Sequence, residues 1–392
     1  TNVDWTKGRH AIRTGVLVEG GSYKSDSRTN YLGTFVFPSF EEFQAGRPAT
    51  FTQRIGDPLV EYSHWQAGLF VQDDWRAHAN LTLSGGLRYE LQSHLDDRIN
   101  FAPRASFTWS PFKNGRTTIR GGGGIFYDWL EAEVYEQVLR VDGQRQRDLV
   151  ITNPGFPDPF SGGDVEILPS SKYVLADDLV MPRRVMGNVG LSHQFSAKLG
   201  MNVSYSRMRG DNRLRGRNIN APLNGVRPDP TLGNVTQVES TAHMRGQTFV
   251  AGMNVQIPEH RIMLFANYVW LKQESDSDGP FSLPADSYDL ASEWGPVSGM
   301  PRHSFSGMFS TPLIKNMRLS LTGAVRSGTP YNITTGRDDN GDTVFNDRPK
   351  GVGRNTGRTE MTWEVGGRLS YAFGFGQRAA GGTRGPGGAP VM

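Results

Sequence analysis

Apolar and polar side chains alternate along this chain in segments of about 10–15 residues, and few folds can use strands of that length. In the segment 65–72, Trp65, Ala67, Leu69 and Val71 are apolar, while Gln66, Gly68 and Gln72 are small or polar. The segment 81–91 alternates in the same way from Leu81 to Leu91. Side chains of a strand point to opposite faces in turn, so each segment has one apolar and one polar face. The pattern predicts strands at 9–23, 64–76, 80–91, 100–110, 116–128, 184–195, 199–210, 244–257, 261–273, 301–311, 315–327 and 359–373. A strand in a soluble domain has about 5–6 residues, whereas a tilted strand crossing a membrane needs about 9–11.

The connections differ systematically in length. Short turns fall at 76–80, 111–115, 196–198, 258–260 and 312–316. Long connections fall at 24–63, 129–183, 211–243, 274–300 and 328–358, with a shorter link at 92–99. Outer-membrane barrels have short periplasmic turns and long extracellular loops. Strands entering short turns end in Trp75, Trp109, Phe195, Phe309 and Phe373; strands running toward long loops end in Tyr89, Tyr127, Tyr205, and Tyr268 with Trp270. Amphipathic rings favour the headgroup level, so these positions predict two interfacial girdles. Arg88, Glu90, Arg104, Arg120, Arg318, Arg326, Glu364 and Arg368 all fall on the face opposite the apolar one, where a lumen would hydrate them. Strand 261–273 carries Phe265, Val269 and Leu271 on that inner face and is expected to meet another element there.

Composition fits this reading. Only 36% of residues are hydrophobic, yet 10% are aromatic and 48 are glycine, as expected when alternate residues face lipid and the remainder face water. Lys+Arg is 42 against 39 Asp+Glu, and no basic block is present, so no nucleic-acid partner is expected. The chain has no cysteine, which excludes a disulfide scaffold. The longest apolar stretch, 262–271, is interrupted by Asn267 and is too short for a transmembrane helix of about 20 residues. The expected fold is all-β: an antiparallel transmembrane β-barrel over residues 1–373 with about twelve strands. The Gly/Pro-rich segment 374–392 is expected to be flexible. The N-terminal residues 1–5 lack the features of a signal peptide, and the chain is expected to be a fragment, incomplete at both ends.

Several blocks resemble the barrel of Oar-like TonB-dependent receptors. They are Leu69-Phe70-Val71-Gln72-Asp73-Asp74-Trp75-Arg76, the segment 81–90, Phe101-Ala102-Pro103-Arg104, and Thr118-Ile119-Arg120-Gly121-Gly122-Gly123-Gly124-Ile125-Phe126-Tyr127-Asp128. Near the end stand Asp338-Asp339-Asn340-Gly341-Asp342 and Asn346-Asp347-Arg348-Pro349. The resemblance spans roughly residues 9–376. It implies a barrel of about 22 strands in the outer membrane, of which this chain supplies a part. It also implies a plug domain that links the barrel to the TonB system, and an extracellular ligand of unknown identity. No plug sequence or energy-coupling box is visible in these 392 residues.

The residues name no catalyst. The eight histidines form no i, i+4 zinc pair, and no phosphate-binding Gly-x-x-x-x-Gly-Lys-Ser/Thr motif occurs. The run Gly121–Gly124 lies inside a strand and suits a bend or close packing rather than a nucleotide. The segment 153–160, with Phe156, Pro157, Pro159 and Phe160, suits either a ligand-facing surface or the cap of a loop fold.

One candidate metal site remains. Asp338, Asn340, Asp342 and Asn346 match positions 1, 3, 5 and 9 of an EF-hand-like calcium loop, with the Val344 carbonyl at position 7. Thr343 stands where glycine belongs and Pro349 where the bidentate Glu belongs, with Asp347 near enough in sequence to substitute; a plain Asn-Gly turn fits the same residues. Calcium is therefore the one cofactor considered. The leading function is an energised uptake receptor for a bulky nutrient such as a glycan, peptide or metal chelate. The alternatives are a structural or adhesive surface protein and a soluble carbohydrate-binding β-protein; detergent dependence separates the latter from the other two.

Overall fold

The structure, a computed structural model, describes residues 1–167, 171–314 and 316–373. The expected flexible segment 374–392 lies outside the described residues. Six strands come first: β1 (Asn2–Lys7), β2 (His10–Asp26), β3 (Leu59–His78), β4 (Leu81–Gln92), β5 (Phe101–Trp109) and β6 (Thr117–Tyr127). Seven follow: β7 (Arg183–Ser196), β8 (Leu199–Asn218), β9 (Val235–Ile257), β10 (Ile262–Ser275), β11 (His303–Ile314), β12 (Met317–Arg326) and β13 (Thr362–Tyr371). Each pairs antiparallel with the next, giving one meander. The sheet is open, because β1 and β13 stand at its two ends and do not pair with each other.

Two short strands, Lys172–Leu175 and Gly295–Pro296, pair onto β9 and β10 beside the meander. The meander itself holds thirteen strands where twelve were expected. The extra one, β1, has six residues, too short for its alternation of Val3 and Trp5 with polar neighbours to stand out; it pairs with β2 across a turn in which Gly8 takes φ +61°. Several strands also run further than read: β3 and β8 have 20 residues and β9 has 23. Their outer parts lie inside segments assigned to loops. Above the hydrocarbon nothing apolar selects one face, so the alternation that marks a strand fades while its hydrogen bonds continue.

Register shows how the sheet crosses a membrane. Direct cross-strand partners run His10–Trp75–Leu83–Phe107–Gly121–Val189–Tyr205–Phe249–Trp270–His303, one residue per strand from β2 to β11. The row starts beside a short turn, at Trp75, and ends beside a long connection, at Trp270. A line perpendicular to the strands therefore climbs from one girdle to the other, which requires tilt. Nine strand steps of about 4.8 Å give about 43 Å, and a climb of about 25 Å over that distance needs a tilt of about 36°, within the range of membrane barrels. Residues on this face stay exposed, among them Leu69 (48%), Leu191 (42%) and Phe305 (50%). A contiguous apolar face of this kind is an interaction surface, and here the partner it fits is lipid. No helix of the described residues is long and apolar enough to cross a membrane.

The opposite row is Arg13–Gln72–Gly86–Arg104–Gly124–Met186–Met208–Gly246–Gln273, largely polar or small. Odd positions of 65–75, 81–91 and 317–325 share the outer face, and the predicted charged set, Arg120, Arg318, Arg326, Glu364 and Arg368 included, shares the inner one. At Gly121, Gly122 and Gly124 the close approach comes from β5, and at Gly123 from the Met186 carbonyl of β7. The Phe107 ring lies across Gly121, where a Cβ would stand 2.6 Å away, and Arg104 lies across Gly124 at 2.8 Å.

The long connections are folded. Thr34–Val36, Thr50–Gly56, Gln146–Thr152 and Asp164–Ile167 form a separate four-stranded sheet that joins segments 24–63 and 129–183. Its small core is Phe51, Leu149 and Ile151 with Phe35. The larger buried cluster, Leu95, Leu130, Val134, Leu179, Met181 and Val238, also gathers loop residues. Among the described residues, the buried apolar clusters sit at the loop end.

Leu191 and Ser192 are neighbours on opposite faces, since Leu191 pairs with Ile119 and Val203 while Ser192 pairs with Thr118 and Asn202. Leu191→Arg in the full-length protein should lower stability in lipid vesicles by about 2–4 kcal/mol, and Ser192→Arg by less than half of that. Urea unfolding midpoints of the two variants check this; equal losses would contradict the assignment of faces.

Candidate functional site

Above the girdle β8 carries charge at alternate positions: Arg209, Asp211, Arg213, Arg215 and Arg217. Breaks in register at Gly210/Arg213 and Arg213/Arg215 re-aim these side chains toward different neighbours. Arg209 and Arg183 hold Asp211 at 2.8 and 3.3 Å, Arg215 holds Asp276 at 2.5 Å, and Arg217 holds Glu239 at 2.9 Å. Asp128, just beyond β6, takes Arg184 at 2.6 Å and Arg213 at 3.8 Å.

These charges surround the upper end of the inner face. A cavity of about 570 Å³ there is lined by Arg88, Glu90, Arg104, Asp128, Trp129 and Arg213. Glu90 is buried and pairs with Arg88. The Arg88 guanidinium lies 5.7 Å from the Trp129 ring, and that of Arg104 lies 4.2 Å from the Phe126 ring. The Trp129 indole N–H is buried without a partner. A second groove of about 530 Å³ continues along the sheet past Arg13, Gln72, Ser106 and Asn188, and Arg88 and Arg104 line both. Guanidinium groups, carboxylates and a free indole donor along one path suit a ligand with several hydrogen-bonding groups. No nucleophile paired with a base stands among these lining residues.

Loops fix the mouth in place. The Gln92 amide donates to the Leu130 carbonyl at 2.5 Å and accepts the Leu130 N–H at 2.7 Å, which ties β4 to the segment before the helix Ala132–Arg140. Arg140 bonds Glu136, the Ser25 hydroxyl and the Pro58 carbonyl, which binds that helix to the β2 and β3 ends. In the predicted segment 153–160, Phe156 meets Phe35 and Phe37 edge-on at 5.2 and 5.5 Å, and Phe160 meets Phe51 at 6.3 Å. The rings cap the loop sheet while Phe160 keeps 60% of its surface exposed. On the other side of the mouth, buried Glu293 takes Arg348 at 2.8 Å and Arg354 at 3.8 Å, and Arg354 also donates to the Ser275 carbonyl at 2.5 Å.

The candidate calcium residues lie in this second loop group. The Asp342 N–H donates to both Asp338 Oδ1 and Asn340 Oδ1 at 2.9 Å, so these three residues are brought together. Asp338 Oδ2 accepts the Thr343 N–H and Asp342 Oδ1 accepts the Val344 N–H. Thr343, in the position expected for glycine, takes φ +71°, the left-handed conformation that glycine would supply. Asn346 is anchored apart, its amide donating to the Leu283 and Pro284 carbonyls. Asp347 folds back, its carboxylate accepting the Asp339 and Asn340 N–H groups. Burial raises the Asp342 carboxyl above its ordinary value; hydrogen bonds from Val344 and Asn340 oppose the shift, and the charges of Asp338 and Asp347 add to it. No three histidine, cysteine or acidic side chains of the described residues form a ready metal set.

Sequence reading placed Arg88, Glu90 and Arg104 on the inner face, and missed Asp128, Trp129, Arg213 and the Glu293 cluster. The alternating charges of 209–217 were the available signal. The Glu293 cluster had none, because its members come from separate loops.

The comparisons agree with this geometry. The family model described as outer membrane beta barrel domain matches residues 1–100 and 94–389. The chain belongs to that family. Its place is the outer membrane. No curated protein matches it in sequence. Among solved structures, this barrel chain is similar to the outer membrane transporter YddB from Escherichia coli, with 13% identity, TM-score 0.63, and coverage of 94% of this chain and 47% of that one. It is also similar to the FrpB iron transporter from Neisseria meningitidis at 12% identity and TM-score 0.58, covering 95% of this chain and 47% of that one. The siderophore receptor PirA from Acinetobacter baumannii gives 13% identity and TM-score 0.57, with coverage of 95% and 47%. At such identities the likeness shows the fold, and the chain spans about half the length of these proteins. Membership in an outer-membrane family sets aside the soluble reading.

Glu293 and Arg348 are nearly buried, so removing Glu293 strands the Arg348 cation, while Arg354 keeps its pair with Asp278. Glu293→Ala should cost about 3–5 kcal/mol of local stability, whereas Arg47→Ala, which breaks an exposed pair with Glu42, should cost about 0–1 kcal/mol. Hydrogen exchange in 276–300 and 328–358 measures the first effect; unchanged protection would show that the cluster does not hold these loops.

Proposed function

We propose that this chain is the barrel portion of a receptor that carries a bulky nutrient across the outer membrane, energised by the TonB system through a plug domain. The observation that carries the proposal is the continuous inner path from the charged mouth at Arg88, Trp129 and Arg213 down the groove at Gln72 and Asn188. Three further features support it. The open sheet needs more strands to close, in keeping with a wide barrel. Phe265, on the inner face of β10 and paired with Met308, keeps 46% of its surface exposed, and a plug would cover it. Solved structures of similar fold are described as a transporter, an iron transporter and a siderophore receptor. The sequence blocks at 69–76, 81–90, 101–104 and 118–128 support the Oar-like subtype. The nutrient is a glycan, peptide or metal chelate with several hydrogen-bonding groups, and no catalytic role is assigned.

An adhesive role is the second reading, favoured by one observation: the segments flanking the loop sheet present Phe40, Phe43, Phe156 and Phe160 at the surface. The two readings separate in the cell. A strain lacking the full-length gene and a strain lacking TonB should fail to accumulate the same compound from a labelled panel of glycans, peptides and metal chelates. Loss of surface attachment in the first strain, with uptake of every compound intact, would overturn the transport reading in favour of adhesion.

A further inference from the structure

We propose that the loop 338–347 binds one calcium ion, through Asp338, Asn340, Asp342, Asn346 and the Val344 carbonyl. The argument begins with charge. Asp338, Asp342 and Asp347 fall within ten residues, and none forms an ion pair with a cation of the described residues; the nearby Arg337 pairs instead with Asp339. Asp342 is only 4% exposed, and its Oδ2 is buried without a hydrogen-bond donor. A buried carboxylate oxygen with neither donor nor cation is costly.

A second oxygen is left in the same condition. The Asn346 amide spends its nitrogen on the Leu283 and Pro284 carbonyls, which leaves its Oδ1 buried and unpartnered. Asn340 is oriented the same way, its nitrogen donating to the Ala285 carbonyl at 2.7 Å and its oxygen turned toward the Asp342 N–H. The segment 283–285 thus fixes both amides with their oxygens facing away from it. Asp338, Asn340 and Asp342 meanwhile curl the backbone by accepting N–H groups two to five residues ahead, and each oxygen so used retains a second lone pair.

The donor set chooses the ion. It contains carboxylate, amide and peptide oxygens and no nitrogen or sulfur, which suits a hard cation; calcium accepts six to eight such oxygens in an irregular arrangement, whereas magnesium demands a near-ideal octahedron. The residues do not converge as a finished set of acids, so the ion draws the loop together on binding. It neutralises Asp342 and pins 338–347 against 283–285, at the rim of the mouth.

The test uses the full-length protein in detergent, stripped of divalent ions by a chelator and titrated with CaCl2 in a calorimeter. Wild type should show one more site than the Asp338→Asn/Asp342→Asn variant, with Kd of about 10⁻⁴–10⁻³ M. The Asp339→Asn variant, which changes a carboxylate outside the set, should titrate like wild type. A second measurement needs no variant. Trypsin cleavage after Arg337, whose side chain is 78% exposed, should slow at least threefold in CaCl2 relative to NaCl of equal ionic strength. Equal heats for wild type and the double variant, or cleavage indifferent to calcium, would overturn the proposal.

Discussion

Peptide N–H and C=O groups inside a bilayer have no water to bond, so each must find its partner in a neighbouring strand. The rest of this structure follows from that requirement. It forces a continuous antiparallel ladder from β1 to β13 and makes the strands from β2 to β13 long enough to cross the hydrocarbon. Tilt then follows from curvature, and the row from His10 to His303 records it directly by climbing from one aromatic girdle to the other. Once the ladder is fixed, the side-chain period of two sorts every residue to lipid or lumen. Leu191 and Ser192, adjacent in the chain, face different solvents.

Sequence is legible where lipid acts on it. Between the girdles an apolar residue on the wrong face is penalised, so alternation alone assigns Leu69, Leu191 and Phe305 to the outer face and Arg88, Arg104 and Arg318 to the inner one. Outside the girdles the same chain becomes hard to read. Residues 211–218 are strand, yet their pattern Asp-Asn-Arg-Leu-Arg-Gly-Arg-Asn carries no apolar face, because loops with polar partners, and not lipid, cover them. The loop sheet pairs Phe51 with Ile151, a hundred residues apart, and nothing local announces such a partner. The spacing of Asp338, Asn340 and Asp342 is visible in sequence; the burial of Asp342 and the anchoring of Asn346 on Pro284 are not, since both depend on a second loop.

The same contrast separates scaffold from function. The membrane part is uniform and repetitive, with small residues such as Gly86, Ser106 and Gly122 leaving the inner groove open. Specific chemistry gathers where strands leave the bilayer: Arg184 and Arg213 on Asp128, Trp129 over Arg88, and the Glu293 cluster locking the far loops. Buried apolar clusters lie there as well, so the loops hold their shape by ordinary packing while the barrel wall relies on hydrogen bonds and lipid. A rigid mouth above an open, polar-lined wall is an arrangement suited to capture followed by passage.

These 392 residues contain no cysteine, which makes the central claim directly measurable. Single cysteines placed in turn at Met201, Asn202, Val203, Ser204, Tyr205 and Ser206 of β8, each carrying a nitroxide label in the full-length protein in lipid vesicles, report their surroundings by collision with oxygen or with a water-soluble nickel complex. Labels at 201, 203 and 205 should relax with oxygen, which concentrates in hydrocarbon, and labels at 202, 204 and 206 should not. A profile without a period of two, or with nickel reaching 201, 203 and 205 as readily as oxygen, would contradict a wall whose outer face is lipid.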